Sequence, residues 1–263
     1  MPDYPSSRLW NMRDCRHGLM VYFPHDFYIG GALEMYGEYA EIEAAFLCKM
    51  LGPGDVAIDA GANIGSLTMP MARKVGIEGR VFAFEPQRII FNVLCANLAL
   101  NNLWNVIAKQ EAVGAEIERL GVPMVDYAAP GNFGGLALTT AELPEMADSS
   151  PIDDLNLPRC RLIKADVQGM EMAVLRGARD TIARCAPFLY VENDTDTSEL
   201  PQMMVEMDYD VYEHKTPLFN PNNFREFKEN KYGHTVSYNL LGVPHVLREA
   251  VVVQLRPWDF AKH

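Results

Sequence analysis

The sequence has no long apolar run. Its purely apolar runs are short, four residues at 250–253 for example, where a membrane helix takes about 18 or more, so no bilayer-spanning helix is expected. Basic residues are scarce as well: 23 Lys and Arg stand against 35 Asp and Glu, a formal charge of −12, and the one local basic bias is short, at residues 8–17. A phosphate backbone or an anionic membrane surface calls for a basic face, so neither nucleic acid nor membrane is an expected partner. The start, Met1-Pro2-Asp3-Tyr4, has neither the basic stretch nor the apolar core of a secretory signal. The five cysteines, Cys15, Cys48, Cys95, Cys160 and Cys185, are odd in number, and none is paired at a zinc-ribbon or redox spacing. They read as reduced, mostly core thiols of a cytoplasmic protein. Internal repeats and low-complexity tracts are missing too.

What is present is a globular composition, 49% hydrophobic and 22% charged over 263 residues, enough for one large α/β domain or two small ones. From residue 55 to about 210, apolar strand-like runs alternate with helical spacings, the pattern of a parallel sheet flanked by helices. Strands are predicted at 56–59, 80–85, 106–113, 161–166 and 188–192, with closing strands at 209–213 and 237–243. Helices are predicted at 64–75, 88–100, 170–182 and 200–207 from apolar positions three and four apart. Residues 114–158, interrupted by Gly, Pro and polar residues, read as a strand-poor insertion, and 217–233 as an ordered loop.

At the first strand-to-helix junction stands Asp59-Ala60-Gly61-Ala62-Asn63-Ile64-Gly65-Ser66, a loop that lets backbone approach a ligand. A dinucleotide would want G-x-G-x-x-G with pyrophosphate on the helix N-terminus, but Asn63 stands where the second Gly belongs, and Asp59 would repel the phosphates. An acidic residue there suits a cationic ligand end, and Glu85, at the tip of the second strand, is positioned to accept both hydroxyls of a ribose. Sulfonium, ammonium and no phosphate is the pattern of S-adenosylmethionine. Glu111 and Ala112, ending the third strand, would border the adenine.

These residues carry a family likeness. Asp59-Ala-Gly-Ala-Asn-Ile-Gly65, Val81-Phe-Ala-Phe-Glu-Pro86, Ile163-Lys-Ala-Asp-Val-Gln-Gly169 with Glu171, and Leu175-Arg-Gly-Ala178 resemble the FkbM family of S-adenosylmethionine-dependent methyltransferases. The resemblance extends upstream through Tyr28-Ile-Gly30 and Tyr36-Gly-Glu-Tyr39. It extends downstream through Tyr190-Val-Glu-Asn-Asp194, Pro217-Leu-Phe-Asn-Pro-Asn-Asn-Phe224 and Ser237-Tyr-Asn239, so that about residues 18–245 are covered. It departs from the family at Gln168, where a glutamate is usual. The resemblance implies a class I methyltransferase Rossmann-like α/β fold, a seven-stranded mostly parallel sheet with helices on both faces. It also implies methylation of hydroxyl groups on sugars, polysaccharides or polyketides. Residues 51–263 would form the methyltransferase domain, with 1–50 as an N-terminal lid in which Glu38 faces the ammonium of the donor and Tyr36 lies beside it.

Methyl transfer to an alcohol needs an aligned nucleophile and a proton acceptor. In open α/β sheets the ligand lies outside the carboxyl ends of the strands, where Asp166 and Glu192 end two of them. With His214 they are the candidate catalytic residues. Asp166, Glu192 and Asn193 also resemble the oxygen ligands of metal-dependent O-methyltransferases and would suit magnesium. Candidates toward a small-molecule or saccharide acceptor are Asn132, Gln168, Glu171, Asn193, Asn220 and Asn223. A homodimer, methylation at nitrogen or carboxyl groups, and a binding module that has lost catalysis, favoured by Gln168 alone, remain as alternatives.

Overall fold

The computed structural model describes residues 9–193, 198–249 and 255–260. Asp194, the apolar run at 250–253 and the first residue of the basic bias, Arg8, lie outside the described residues.

The chain opens with a hairpin, β1 (Asn11–Cys15) and β2 (Gly18–Tyr22), followed by α1 (Ile29–Tyr36) and α2 (Glu41–Met50). The parallel core begins with β3 (Val56–Ala60), α3 (Thr68–Val75), β4 (Arg80–Phe84), α4 (Arg88–Leu100) and β5 (Val106–Lys109). Three strands then leave the main sheet, β6 (Ala112–Val113), β7 (Glu118–Val122) and β8 (Glu145–Ser150), and form a small sheet of their own in the order β6-β8-β7. The core resumes with β9 (Leu162–Ala165), α5 (Glu171–Arg176), α6 (Arg179–Cys185), β10 (Phe188–Glu192), α7 (Glu199–Glu206), β11 (Tyr209–Pro217), β12 (Val236–Pro244) and a two-residue β13 (Arg256–Pro257).

The main sheet runs β13-β11-β12-β10-β9-β3-β4-β5. From β5 to β10 every pairing is parallel, and β12 enters antiparallel between β10 and β11. Strand order reverses beside β3: β4 and β5 build one way and β9 and β10 the other. This topology is that of the class I methyltransferase fold. Three expectations are corrected. The sheet has eight strands rather than seven, because β13 adds an edge. The strand expected at 106–113 is two strands in two sheets, and the strand-poor region 114–158 supplies β7 and β8 to the second of them. The helix expected at 170–182 is broken at Gly177, where a side chain would collide with the Gly114 carbonyl 2.0 Å away.

Alternation along the strands separates two cores. Ala57, Val81, Leu162, Tyr190 and Leu241 pack with residues of α2, α3, α4 and the N-terminal hairpin. Ile58, Ile163, Ala165, Leu189 and Leu240 pack with α5, α6 and α7 on the other face. Cys15, Tyr22, Phe23, Leu33 and Ala44 of the N-terminal segment share the first core. All five cysteines are free; Cys15 and Cys160 are buried and Cys95 is exposed. Among the described residues no helix is long and apolar enough to cross a membrane.

Candidate active site

Two charges lie inside the sheet beneath the site. Asp59 and Lys164 are register partners on β3 and β9, both on the face that α2 covers, and both almost wholly inaccessible. Lys164 Nζ sits 2.9 Å from the Asp59 carboxylate and donates at 2.9 Å to the Gly61 carbonyl. Burial opposes the lysine charge, but Asp59 and Asp166 outweigh it and hold the ammonium above the ordinary lysine range. Thr68 Oγ1 donates to the other Asp59 oxygen at 2.6 Å.

Above this pair the strand ends open into a cavity with two lobes sharing Gly61, Glu85, Gly134, Asp166 and Gln168 as common wall. The narrow lobe, about 40 Å³, is lined mainly by Phe84, Pro86, Ala112, Val113, Leu136, Leu138 and Met170, with Gln87 and Glu111. The broad lobe, about 280 Å³, is bordered by Asn63, Ser66, Glu43, Lys164, Tyr28, Asn132, Glu192, Thr235 and Ser237 among others. The Gly61 backbone has φ +79°, and a Cβ there would lie 1.8 Å from the Asp166 carbonyl. The close approach of the two strand-end loops therefore requires glycine.

Glu85 stands at the neck between the lobes. Its carboxylate accepts from the backbone N–H of Asn63 at 3.0 Å and of Gln87 at 2.9 Å, and burial pushes its carboxyl up to about 7. Gln168, with φ +53°, is held in a left-handed conformation that a residue with a Cβ seldom adopts. Its amide donates to Asp166 Oδ1 at 3.2 Å and to Glu192 Oε2 at 2.9 Å. Glu171 accepts from the N–H groups of Val167 and Gly169, so it shapes this loop and does not meet an acceptor.

The structure gathers Gly61, Asn63, Ser66, Glu85, Pro86, Glu111, Ala112, Asn132, Asp166, Gln168 and Glu192 around the cavity. Other expectations are corrected. Asp59 lies below the cavity floor, held by Lys164 and Thr68, and Ile64 and Gly65 support the loop from the core side. His214 is buried, bonded through Nδ1 to the Tyr190 hydroxyl at 2.8 Å and stacked on Phe46 at 4.0 Å. Burial lowers its pKa to about 4, and it belongs to the core. Asn220 donates to Glu38, Asn223 closes its own loop through the Asn220 and Phe227 carbonyls, and Asn193 lies off the cavity. The metal triad is not assembled either, because the Gln168 amide stands between Asp166 and Glu192. Among the described residues no three His, Cys, Asp or Glu side chains are arranged to hold a metal.

Tyr36 and Glu38 are corrected together, as parts of a clasp. The Tyr36 ring packs on Phe219, Phe227 and Tyr232, and its hydroxyl donates to the Glu229 carbonyl and accepts from the Lys231 N–H. The Glu38 carboxylate accepts from Arg16 Nε at 2.6 Å, Asn220 Nδ2 at 2.7 Å and the Phe224 N–H at 2.8 Å. Both carboxylate oxygens of Glu38 are thus engaged inside the protein. Glu38→Gln should therefore cost about 1–3 kcal/mol of stability, read as a lower denaturation midpoint. A variant that kept its midpoint would show that the clasp does not hold the segment.

The residues that sequence reasoning missed are Tyr39, just ahead of α2, Glu43 in its first turn, Lys164, Thr235 and Ser237. Lys164 was detectable, as one charge inside an otherwise apolar strand. The others reach the cavity only through packing of segments far apart in sequence.

Known proteins similar to this chain are methyltransferases. The chain is 32% identical over 146 residues to Methyltransferase 1 of Beauveria bassiana, covering 47% of this chain and 58% of that protein. It is 30% identical over 188 residues to Methyltransferase sdnD of Sordaria araneosa, covering 54% of this chain and 71% of that one. A solved FkbM methyltransferase from Methylobacillus flagellatus is similar at 18% identity and a TM-score of 0.49, over 76% of this chain and 50% of that one. The methyltransferase FkbM domain matches residues 59–212. With more than half of its length inside that match, the chain belongs to the FkbM family of methyltransferases.

Proposed function

We propose that the protein is an S-adenosylmethionine-dependent O-methyltransferase acting on a hydroxyl of a sugar, polysaccharide or polyketide-type small molecule. The observation that carries this reading is the position of Asp166 in the wall common to both lobes, where a donor in one and an acceptor in the other would meet. The residues present fit such a donor. The narrow apolar lobe suits a purine, Glu85 at the neck suits a ribose diol, and Ser66 Oγ, buried at the edge of the broad lobe, has no hydrogen-bond partner in the protein. When bound, S-adenosylmethionine supplies a methyl group on a sulfonium centre.

On the acceptor side, Asp166, Gln168, Glu192, Thr235 and Ser237 offer the alternation of hydrogen-bond acceptors and donors that a polyol requires. Asp166 takes the hydroxyl proton as the new C–O bond forms and the S–C bond breaks. Gln168, tied to both Asp166 and Glu192, holds the two carboxylates apart and oriented, so its departure from the family glutamate is compatible with turnover. Of the expected N-terminal lid, the described residues 9–50 act as a cap on this site, contributing Tyr28 and Glu43 to its wall. A cytoplasmic location fits the free thiols.

The deciding experiment is a thermal shift with S-adenosylhomocysteine against NAD, followed by a radiolabelled methyl screen over glycans and phenols. Stabilisation by NAD alone would overturn the reading. Within it, Glu85→Ala should weaken S-adenosylhomocysteine by about 1.5–3 kcal/mol in calorimetry, the usual contribution of hydrogen bonds to a charged group. A loss under about 0.5 kcal/mol would remove the ribose role, since it falls below that range.

A further inference from the structure

Glu43 is a buried carboxylate that the reaction described so far does not use. It sits in the first turn of α2, on the sheet face that carries Asp59 and Lys164, and its residue lines the broad lobe. The same helix is fixed one turn later by Phe46 stacking on His214 and packing against Tyr190, so the height of Glu43 over the sheet is set. Its surroundings are an unbalanced set of charges. Lys164 is the one cation lining either lobe, and it is already bound to Asp59 at 2.9 Å and lies 4.0 Å from Asp166. Lys164 and Ser237 favour the ionised form of Glu43, and Asp166 and Asp59 oppose it. The hydroxyls of Tyr39 and Tyr190 also lie in its field. Buried acid thus exceeds buried base on this wall, and a cationic ligand group would restore the balance.

We propose that Glu43 receives the ammonium of the methionyl part of the donor, the role that the sequence pattern suggested for Glu38. The inference rests on the S-adenosylmethionine reading above. The position supports it: Glu43, Lys164, Asn63 and Ser66 line the broad lobe alone, whereas Phe84, Pro86, Ala112 and Val113 of the purine slot line the narrow lobe alone and Glu85 borders both. Burial raises the Glu43 carboxyl to about 7 against the pull of Lys164. An arriving ammonium favours the ionised form, so binding near neutral pH is coupled to loss of a proton from Glu43. Glu85 is raised to a similar value, and its contribution to any pH dependence has to be separated.

Two ligands make that separation. S-Adenosylhomocysteine carries the ammonium, and methylthioadenosine has the same adenosine and thioether without the amino-acid end. At pH 8, Glu43→Gln should weaken S-adenosylhomocysteine roughly 10- to 100-fold, the range for a charged hydrogen bond. It should leave methylthioadenosine within about twofold, since no such bond is lost there. Glu43→Asp should recover part of the loss. Between pH 8 and 6 the ratio of the two affinities should fall in the wild type and stay flat in Glu43→Gln. Equal weakening of both ligands would make Glu43 a support of the cavity wall and overturn the assignment. So would unchanged affinity for both, or a change confined to acceptor KM. If the wild type bound neither ligand, the donor reading itself would fail first.

Discussion

Asp166→Asn is expected to lower kcat by about 10²–10⁴, the usual loss when a positioned general base is removed, while the affinity for S-adenosylhomocysteine changes far less. The separation follows from geometry. Asp166 belongs to both lobes, but in the donor binding proposed above the ribose and ammonium fall to Glu85 and Glu43, so donor binding should survive the substitution. The amide keeps the size of the side chain and its neighbour Gln168, which makes a folding defect a poor explanation for a rate loss. Steady-state kinetics with the acceptor found in the methyl screen, set beside calorimetry of S-adenosylhomocysteine, gives both quantities. A near-normal kcat would take Asp166 out of the proton transfer and leave Glu192 as the remaining carboxylate at the end of a neighbouring strand.

The second large effect concerns stability. Lys164→Met should destabilise the protein by about 3–5 kcal/mol, because removing one member of a buried ion pair strands the other. Asp59 has no exposed surface and would keep only the Thr68 hydroxyl, while the Gly61 carbonyl would lose its donor. Urea unfolding of the single variant and of Asp59→Asn with Lys164→Met separates the causes. The double variant should recover much of the loss, since no isolated charge remains. If it were as unstable as the single variant, the lost contacts of the lysine stem would be responsible. If the single variant lost less than about 1 kcal/mol, the pair would be hydrated in solution.

How much of this was legible follows from the kind of signal each part leaves. The strand at 188–192 and the helix at 88–100 occupy the same residues in the structure, because both have uniform periodicity and sharp flanks. Strand β5 stops at Lys109 without any Gly or Pro to announce the switch into the second sheet, and the sequence therefore reads as one strand. The helix after the glycine loop starts at Thr68 rather than at 64, since the loop uses Ile64, a core residue, in a turn. Among site residues, those at the ends of parallel strands were legible because topology alone brings such ends together. Tyr36 and Glu38 were misread for the opposite reason: an aromatic and an acid near a cavity look the same in sequence whether they face it or face away. Here the tail loop at 217–233 captures both, through contacts spanning more than 180 residues.

The place of β12 has a consequence for synthesis of the chain. It is the last long strand to be made, yet it lies between β10 and β11, so β11 has no main-sheet neighbour until residues 236–244 have left the ribosome. A stop codon ahead of that strand would not trim a dispensable edge. It would leave β10 with an open ladder, detach β11, and remove Ser237 from the wall of the broad lobe. Nascent chains of this length therefore carry an unpaired apolar edge for the time needed to add β12, which is the interval in which edge-to-edge association is most favoured.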